Sequence, residues 1–278
     1  MWNERQAHPP ERPEATAGAP SRARPPGKPG LRAWAGFAGV IGASVGSFRM
    51  RSALLLLLTL FLVPGTLAAA DAPPFFDDKT VDLRMILAPP LGDDSPETRR
   101  EVEQILEIQA TRSPAMEAAA KADNASVVWR FGDVLGANFT KERLPQTAAL
   151  FERIKSTERA VVFPAKAAYA RTRPFLLDSR VSPLVKAASE SYPSGHAAYG
   201  VMTGIVLANM VPEKAPEIMA RAWQFGWNRV IAGVHYPSDV EMGRIAGTVI
   251  AFELFRQPDF KVAFELSKQE LRSALGVP

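Results

Sequence analysis

The stretch that decides the fold is residues 191–210, SYPSGHAAYGVMTGIVLANM. From Ala197 to Met210, apolar side chains fall on every side of a helix, a pattern typical of a helix buried at the centre of a domain. A Pro-Ser-Gly turn at 193–195 precedes it. The stretch therefore predicts a buried central helix with His196 at its mouth.

The segments on both sides of this stretch have helical periodicity, and sustained alternation of apolar and polar residues is absent from the sequence. Helices are predicted at 96–110, at 114–122, from Pro145 onwards, at 213–230, and from a capping box at Ser238 to about Phe255. We expect an all-α fold, a single-domain helical bundle around the buried central helix.

The turn before the central helix has residue types that suit an anion. Gly195 lets the backbone approach a ligand closely, and the N–H groups at the helix start attract negative charge. Ser194 adds a hydroxyl donor, and His196 can act as an acid or a base. The alternative is an ordinary N-cap turn beside a hydrogen-bonded histidine.

A second segment contains Lys166 and Arg173, followed by Pro174. On one helix, residues seven apart differ by about 20° around the axis and lie about 10 Å apart along it. Both side chains would then reach one anion, and Pro174 would end the helix soon afterwards. The alternative is a pair of cations on a solvated face.

A third segment contains Arg229, His235 and Asp239. Arg229 closes a predicted amphipathic helix, His235 follows in a loop, and Asp239 lies in the first turn of the next helix. A carboxylate at that place can accept a hydrogen bond from the imidazole, which fixes the tautomer of a catalytic histidine. The alternative is Asp239 as a helix-start charge and His235 as an ordinary loop residue.

Together the three segments supply three cations, two neutral donors, and the two histidines that follow position 70. This set suits a tetrahedral oxyanion with a nucleophile on one side and an acid on the other. The chain has no cysteine, which excludes disulfides, thiol nucleophiles and cysteine-ligated metals. So few histidines argue against a histidine-rich metal site.

The motifs K-x6-R-P, P-S-G-H and R-x5-H-x3-D, in this order, resemble the signature of the type 2 phosphatidic acid phosphatase and vanadium haloperoxidase superfamily. Within it, the chain is similar to the bacterial class A non-specific acid phosphatases from about Asp82 to the C-terminus, more weakly before residue 160. It departs from the family pattern at Asn228, where Ser is usual, and at Glu190 and Ala197, where Gly and Thr are usual.

The resemblance implies a secreted, metal-independent acid phosphatase that hydrolyses phosphate monoesters without a cofactor. His235 would attack phosphorus and form a phosphohistidine, Asp239 would orient it, and His196 would protonate the leaving alcohol and then activate water. The phosphate-binding residues implied by the resemblance are Lys166, Arg173, Ser194, Gly195 and Arg229. The scheme needs a protonated His196 and a neutral His235, and therefore predicts an acidic pH optimum.

Other functions of the same residues stay open. A vanadium-dependent haloperoxidase would use the cations to hold vanadate, and a soluble lipid-phosphate or diphosphate phosphatase would act on other phosphate esters. A polytopic membrane phosphatase is excluded, because the sequence lacks a set of apolar stretches of about 20 residues. A non-enzymatic phosphate-binding protein would not need the His–Asp pair.

Residues 50–70 are typical of a secretory signal peptide: Arg49 and Arg51 precede an apolar core at 53–63, and a small-residue cleavage site ends at Ala70. An uncleaved membrane anchor is the alternative, although a span needs about 20 apolar residues. The predicted organisation is a disordered leader or mis-called start at 1–49, the signal peptide at 50–70, an extended lead-in at 71–94 and the helical phosphatase domain at 95–278. The predicted location is periplasmic or secreted.

The basic charge of the chain comes from its N-terminal part. Residues 1–70 contain eight of the 33 basic residues and three of the 29 acidic residues, which leaves 71–278 with a net charge of about −1. The electrostatic basis for nucleic-acid binding is therefore absent from the mature chain. We expect small-molecule phosphomonoesters as partners and no stable membrane insertion of the mature chain, and a homo-oligomer is compatible with the sequence.

Overall fold

The computed structural model describes residues 72–278, so the predicted leader and signal peptide lie outside the described residues. Within this range the secondary structure is helical and contains no β-strand, which confirms the all-α prediction. The helices are α1 (Pro96–Thr111), α2 (Pro114–Ala122), α3 (Gly132–Leu135), α4 (Pro145–Tyr169), α5 (Pro174–Leu177), α6 (Gly195–Met210), α7 (Ala215–Ile231), α8 (Pro237–Leu254) and α9 (Pro258–Leu275), with 3₁₀ turns at Leu83–Met85, Val128–Phe131 and Pro212–Lys214.

Proline and serine set the start of the first two helices. Helix α1 begins at Pro96 and α2 at Pro114, where the fixed φ of proline suits the first helical position. The hydroxyls of Ser95 and Ser113 each accept a hydrogen bond from a backbone N–H in the first turn. These caps satisfy donors that a helix start leaves unpaired, and they place both helices as the sequence predicts.

Helix α6 is the buried central helix. It packs mainly against α7 and α8, and α4 also contacts it. Residues from Ala197 to Gly204 are buried without interruption, which no surface helix could tolerate. The prediction of a central helix is therefore confirmed. Its N-terminus at Gly195 lies within the P-S-G-H motif.

Two glycines let α8 approach the backbone of α6. A Cβ atom at Gly243 would lie 2.4 Å from the carbonyl oxygen of Ser194, and one at Gly247 would lie 2.3 Å from that of Ala198. The obstructing atoms belong to the backbone, which cannot turn aside as a side chain can. This close packing fixes the start of α8, which carries Asp239, against the start of α6, which carries His196.

The prediction that Lys166 and Arg173 share one helix is wrong. Helix α4 ends at Tyr169, because Ala170 adopts a left-handed conformation with φ of 49°. Arg173 has an extended backbone and directly precedes α5, so Pro174 begins a helix rather than ending one. The residue before a proline is disfavoured in the helical conformation, which explains the extended backbone of Arg173.

The capping box predicted at Ser238 is shifted. The N-cap of α8 is Tyr236, and the carboxylate of Asp239 accepts a hydrogen bond from its backbone N–H at 3.1 Å. Ser238 lies inside the helix, where its hydroxyl donates to Glu101 of α1. The predicted helix is present, and Asp239 takes the acidic position of the cap.

The segment before α1 lies against the helices and has little regular structure. Residues 72–94 contain the 3₁₀ turn at Leu83–Met85, and Phe76, Leu83 and Leu87 are buried in the main core. None of the helices in residues 72–278 combines the length and apolarity that a membrane crossing requires.

We predict that Gly247→Ala lowers the free energy of unfolding by about 1–3 kcal/mol, because the added methyl group forces α8 away from α6. Urea denaturation followed by circular dichroism measures the change. Gly132→Ala is the matched control, because Gly132 is helical and its nearest neighbouring atom lies 4.0 Å from an added Cβ. Equal effects of the two substitutions would contradict the close-packing argument.

Candidate active site

A cavity of about 240 Å³ opens between α4, the start of α6 and the loops at 186–189 and 124–126. The predicted site residues that line it are Lys166, Arg173, Gly195, His196, Arg229 and His235. Ser194 and Asp239 are fully buried and lie behind the cavity wall. The fold therefore brings residues from all three sequence motifs to one place.

His235 is held between a carboxylate and a guanidinium. Its Nδ1 lies 3.2 Å from Oδ2 of Asp239, and its Nε2 lies 3.0 Å from Nη1 of Arg173. Since the carboxylate can only accept and the guanidinium can only donate, the proton of a neutral imidazole is on Nδ1. The lone pair of Nε2 is thus directed toward the cation-lined cavity.

Asp239 is the acceptor for several buried donors. Its Oδ1 accepts from Nη1 of Arg171 at 2.6 Å, and its Oδ2 accepts from the Ser191 hydroxyl at 2.5 Å as well as from His235 and the Tyr236 N–H. Burial raises the pKa of Asp239, while Arg171 and the other donors act in the opposite direction. Because all of these contacts need an acceptor, they favour the ionised carboxylate.

Arg171 was not among the sequence-predicted residues, although it is two residues before Arg173. Its side chain is 1% exposed and lies over the ring of Tyr236. It bonds the hydroxyls of Ser238 and Thr98 and the carboxylate of Glu101, in addition to Asp239. Arg171 therefore neutralises the charge of Asp239 and links α1 to the start of α8.

Lys166 and Arg173 are held by main-chain carbonyls of the loop that precedes α6. Nζ of Lys166 donates to the carbonyls of Glu190 at 2.7 Å and Ser191 at 3.2 Å. Arg173 donates to the carbonyls of Ser189 and Glu190. Both cations thus reach the cavity from different elements, although they do not share a helix.

Crowding of buried cations changes their acidity. Burial and the charge of Arg173 lower the pKa of Lys166 from 10.5 to about 7. Burial lowers the pKa of Arg173 to about 10, and burial together with Arg173 lowers that of Arg229 to about 10. An anion in the cavity would relieve this repulsion, and we conclude that the site favours anion binding.

Arg229 retains hydrogen-bonding capacity for such an anion. Its Nη1 donates to the side-chain oxygen of Asn124 at 3.1 Å. Its Nε is buried without a hydrogen-bond partner in the described part of the chain. A buried donor without a partner is costly, and an oxyanion in the cavity would satisfy it.

His196 is half-buried at the cavity wall, where its Nε2 lies 3.1 Å from the backbone carbonyl of Asn124. The carbonyl can only accept, so Nε2 carries a proton and Nδ1 is free to exchange one. Burial and the charge of Arg229 lower the pKa of His196 to about 3. These surroundings favour a neutral His196 at mildly acidic pH, whereas the predicted mechanism needs a protonated one.

The predicted mechanism needs a neutral His235, and the surroundings of this residue favour that form. Burial and the cations Arg173 and Lys166 hold the pKa of His235 well below its ordinary value of 6.5. The imidazole consequently stays neutral at acidic pH, at which a free histidine would be protonated.

The residues at the start of α6 have distinct positions. The Ser194 hydroxyl accepts from the backbone N–H of Ala197 at 3.3 Å and so caps the helix. The backbone N–H of Ser194 donates to the carbonyl of Asp239 at 2.9 Å. Gly195 lines the cavity. A direct contact between Ser194 and phosphate stays a prediction.

The departures from the family pattern lie outside the cavity wall. Asn228 is buried and donates to Asp123 at 2.7 Å, and Asp123 also accepts from Arg130 and Arg221. Glu190 contributes its backbone carbonyl to Lys166 and Arg173, whereas its side chain is exposed and does not line the cavity. In the structure, the role of Asn228 is to connect α7 to the end of α2.

Several cavity residues could not be identified from the sequence. Asn124 binds both His196 and Arg229, yet it lies in a loop with no recognisable motif. Glu158 and the partly exposed Phe163 are ordinary helical residues in the sequence, and Lys155, Arg159 and Lys186 complete the cavity mouth. Across residues 72–278, no cluster of histidine and carboxylate side chains is placed to hold a metal ion. Metal independence stays a prediction.

Comparison with known proteins gives consistent similarities. The PAP2 superfamily matches residues 156–263. A non-specific acid phosphatase of Salmonella typhi is 33% identical over 233 residues, which cover 80% of this chain and 93% of that protein. An acid phosphatase of Zymomonas mobilis is 30% identical over 202 residues, which cover 69% of this chain and 76% of that protein.

A solved structure with weaker similarity is the transmembrane PAP2-type phosphatidylglycerolphosphate phosphatase of Bacillus subtilis. The TM-score is 0.43 at 23% identity, and the match covers 61% of this chain and 89% of that one.

We predict that Arg171→Met lowers the free energy of unfolding by about 3–5 kcal/mol, because it leaves the carboxylate of Asp239 buried without its cation. Urea denaturation at neutral pH measures the loss. Arg180→Met is the matched control: Arg180 also pairs with two carboxylates, but its side chain is 58% exposed, so a much smaller loss is expected. Similar losses for both variants would contradict the role given to Arg171.

Proposed function

Because the chain belongs to the PAP2 superfamily and is a phosphatase related to the non-specific acid phosphatases, we propose that it hydrolyses phosphate monoesters through a phosphohistidine on His235. The observation that carries this proposal is the orientation of His235. Its Nδ1–H is bound to Asp239 and its Nε2 lone pair is directed toward the cations of the cavity.

In the first step, Arg173 shifts its N–H from Nε2 of His235 to a phosphoryl oxygen, and the freed lone pair of Nε2 attacks phosphorus in line with the leaving oxygen. The new N–P bond forms as the bond between phosphorus and the leaving oxygen breaks. Lys166, Arg173 and Arg229 bind the phosphoryl oxygens and offset the charge that they carry in the transition state. Asp239 stabilises the positive charge that His235 acquires, as the carboxylate of a catalytic triad does.

The leaving oxygen takes its proton from Nδ1 of His196. Burial and the nearby cation Arg229 lower the pKa of His196, and the negative charge of a bound phosphate offsets the part that is due to the cations. The proposal is therefore that His196 gains its proton together with the substrate. In the second step, water attacks the phosphohistidine, Nδ1 of His196 accepts the proton of the water, and phosphate is released with His235 restored.

The low pKa values support activity at acidic pH. His235 keeps its lone pair at acidic pH because its pKa is far below the ordinary value. Lys166 carries its charge below about pH 7 and loses it as the pH rises through its pKa. The affinity for substrate should therefore fall above about pH 7, and activity should decline on the alkaline side of the pH profile.

Further parts of the proposal concern location and partners. We propose export by the segment at 50–70, with a periplasmic or secreted mature protein, on the strength of its n-region, apolar core and cleavage site. Small phosphomonoesters suit a cavity of about 240 Å³. Nucleic acid is not a proposed partner, since the mature chain has a net charge near zero.

We predict that His235→Ala reduces hydrolysis of nitrophenyl phosphate by at least about 10³-fold, because it removes the nucleophile. The assay runs from pH 4 to 9 with excess EDTA, and the wild-type enzyme should stay active with an acidic optimum. Brief reaction with labelled substrate should give an acid-labile phosphohistidine in the wild type alone. Retained turnover in the variant, or loss of wild-type activity in EDTA, would overturn the proposed mechanism.

We predict that His196→Ala loses activity unevenly, because a good leaving group needs no proton. The loss should be about 10²–10⁴-fold for an alkyl phosphate and much smaller for nitrophenyl phosphate. The measurement is kcat/KM for both substrates in both proteins, because this ratio reports the steps up to release of the leaving alcohol and not the later hydrolysis of the phosphohistidine. An equal loss with the two substrates would show that His196 is not the acid.

A further inference from the structure

Glu158 places a carboxyl group inside a cavity built to bind anions. It lies on α4, two turns before Lys166, and only 8% of the residue is exposed. It lines the same cavity as the residues that the mechanism uses. The proposed reaction gives it no role, and no sequence motif contains it.

The carboxyl group lies against the first residue of α6. A Cβ atom at Gly195 would lie 2.8 Å from Oε1 of Glu158 and 3.9 Å from Cε of Lys166. The space that glycine leaves open is therefore next to this carboxyl group and to the lysine. It is also at the N-terminus of α6, where N–H groups attract an oxyanion.

Glu158 has unused hydrogen-bonding capacity at this place. Only burial and the charges of nearby side chains affect its acidity, and no hydrogen bond contributes to it from the described residues. Because Glu158 lines the cavity, a ligand there can form a hydrogen bond with its carboxyl group.

The charges around Glu158 decide its protonation. Burial is the largest effect and raises the pKa of Glu158 from 4.5 to about 8. Three cations on the same helix act in the opposite direction and favour the carboxylate: Lys166, Arg159 and Lys155. The groups that line the cavity from other elements are Arg173, Lys186, His196, Arg229 and His235. At acidic pH the side chain is accordingly a neutral carboxylic acid, which can donate a hydrogen bond.

We propose that Glu158 is a substrate-binding residue, which as a carboxylic acid donates a hydrogen bond to a phosphoryl oxygen and as a carboxylate repels the substrate. This inference rests on the proposed phosphatase function of the same cavity. It assigns to Glu158 a part of the preference for acidic conditions, besides the part that Lys166 supplies. Both groups weaken anion binding as the pH rises, Lys166 by losing a positive charge and Glu158 by gaining a negative one.

The test is the dissociation constant of inorganic phosphate, measured by calorimetry with the full chain at pH 5.5 and 8.5. Wild type is compared with Glu158→Gln, which keeps a neutral donor at both pH values, and with Glu158→Ala, which has no donor. Each variant is compared with wild type at the same pH, so the ionisation of phosphate itself cancels. Glu152→Gln, on the exposed face of α4, is the matched control.

At pH 5.5, Glu158→Gln should bind phosphate within about twofold of wild type, and Glu158→Ala should bind it about tenfold more weakly, the effect of one lost hydrogen bond. At pH 8.5, where a carboxyl group with a pKa of about 8 is about three-quarters ionised, Glu158→Gln should bind phosphate about fourfold more tightly than wild type. Lys166 cannot cause this gain, because loss of the neighbouring carboxylate lowers the pKa of Lys166 and weakens binding. Glu152→Gln should equal wild type at both pH values.

If Glu158→Ala binds phosphate as tightly as wild type at pH 5.5, Glu158 does not donate the proposed hydrogen bond. If Glu158→Gln binds phosphate no more tightly than wild type at pH 8.5, the carboxylate does not repel the ligand. Failure of the underlying function has a different signature, because wild type itself would then bind no phosphate at either pH. Phosphate binding without turnover would contradict the phosphohistidine mechanism and leave the role of Glu158 in binding intact.

Discussion

The buried carboxylate of Asp239 is the group on which the rest of the site depends. It accepts hydrogen bonds from Arg171, Ser191, Tyr236 and His235, which belong to the segment after α4, the loop before α6 and the start of α8. Main-chain bonds reinforce the same junction, since Ser191 donates to Arg171 and Ser194 donates to the carbonyl of Asp239. A buried charge needs compensating partners, and here these partners draw the three sequence motifs together.

Three buried cations line the cavity next to this junction, and burial disfavours their charged forms. Lys166, Arg173 and Arg229 all have lowered pKa values, and Arg229 has a buried Nε with no partner among the described residues. A bound anion would offset the repulsion among these cations and supply an acceptor for that donor. Burial and the same cations favour a neutral His235, so the cations proposed to bind substrate also favour the protonation state that the proposed nucleophile needs.

His235 and His196 lie among the same cations, but the proposed mechanism needs them in different protonation states. In the proposed mechanism His235 must be neutral to attack, and its surroundings favour the neutral form before substrate binds. His196 must be protonated to act as an acid, and its surroundings oppose this until phosphate brings negative charge. In that mechanism, substrate binding allows His196 to hold the proton that it donates. The two imidazoles lie in one cluster of cations but have different partners, a carboxylate for His235 and a backbone carbonyl for His196.

The sequence alone determined the helical fold, the central helix and the three motifs whose residues meet at the cavity. Apolar periodicity and serine caps act over a few neighbouring residues, so α1, α2 and α6 could be predicted within a residue or so. The end of α4 could not, because the left-handed Ala170 has no side-chain signal, and Arg173 consequently lies off the helix that carries Lys166. Only the tertiary structure placed Asn124, Glu158 and Arg171 at the site. Contacts across 60 or more residues depend on how helices pack, and no local pattern in the sequence records them.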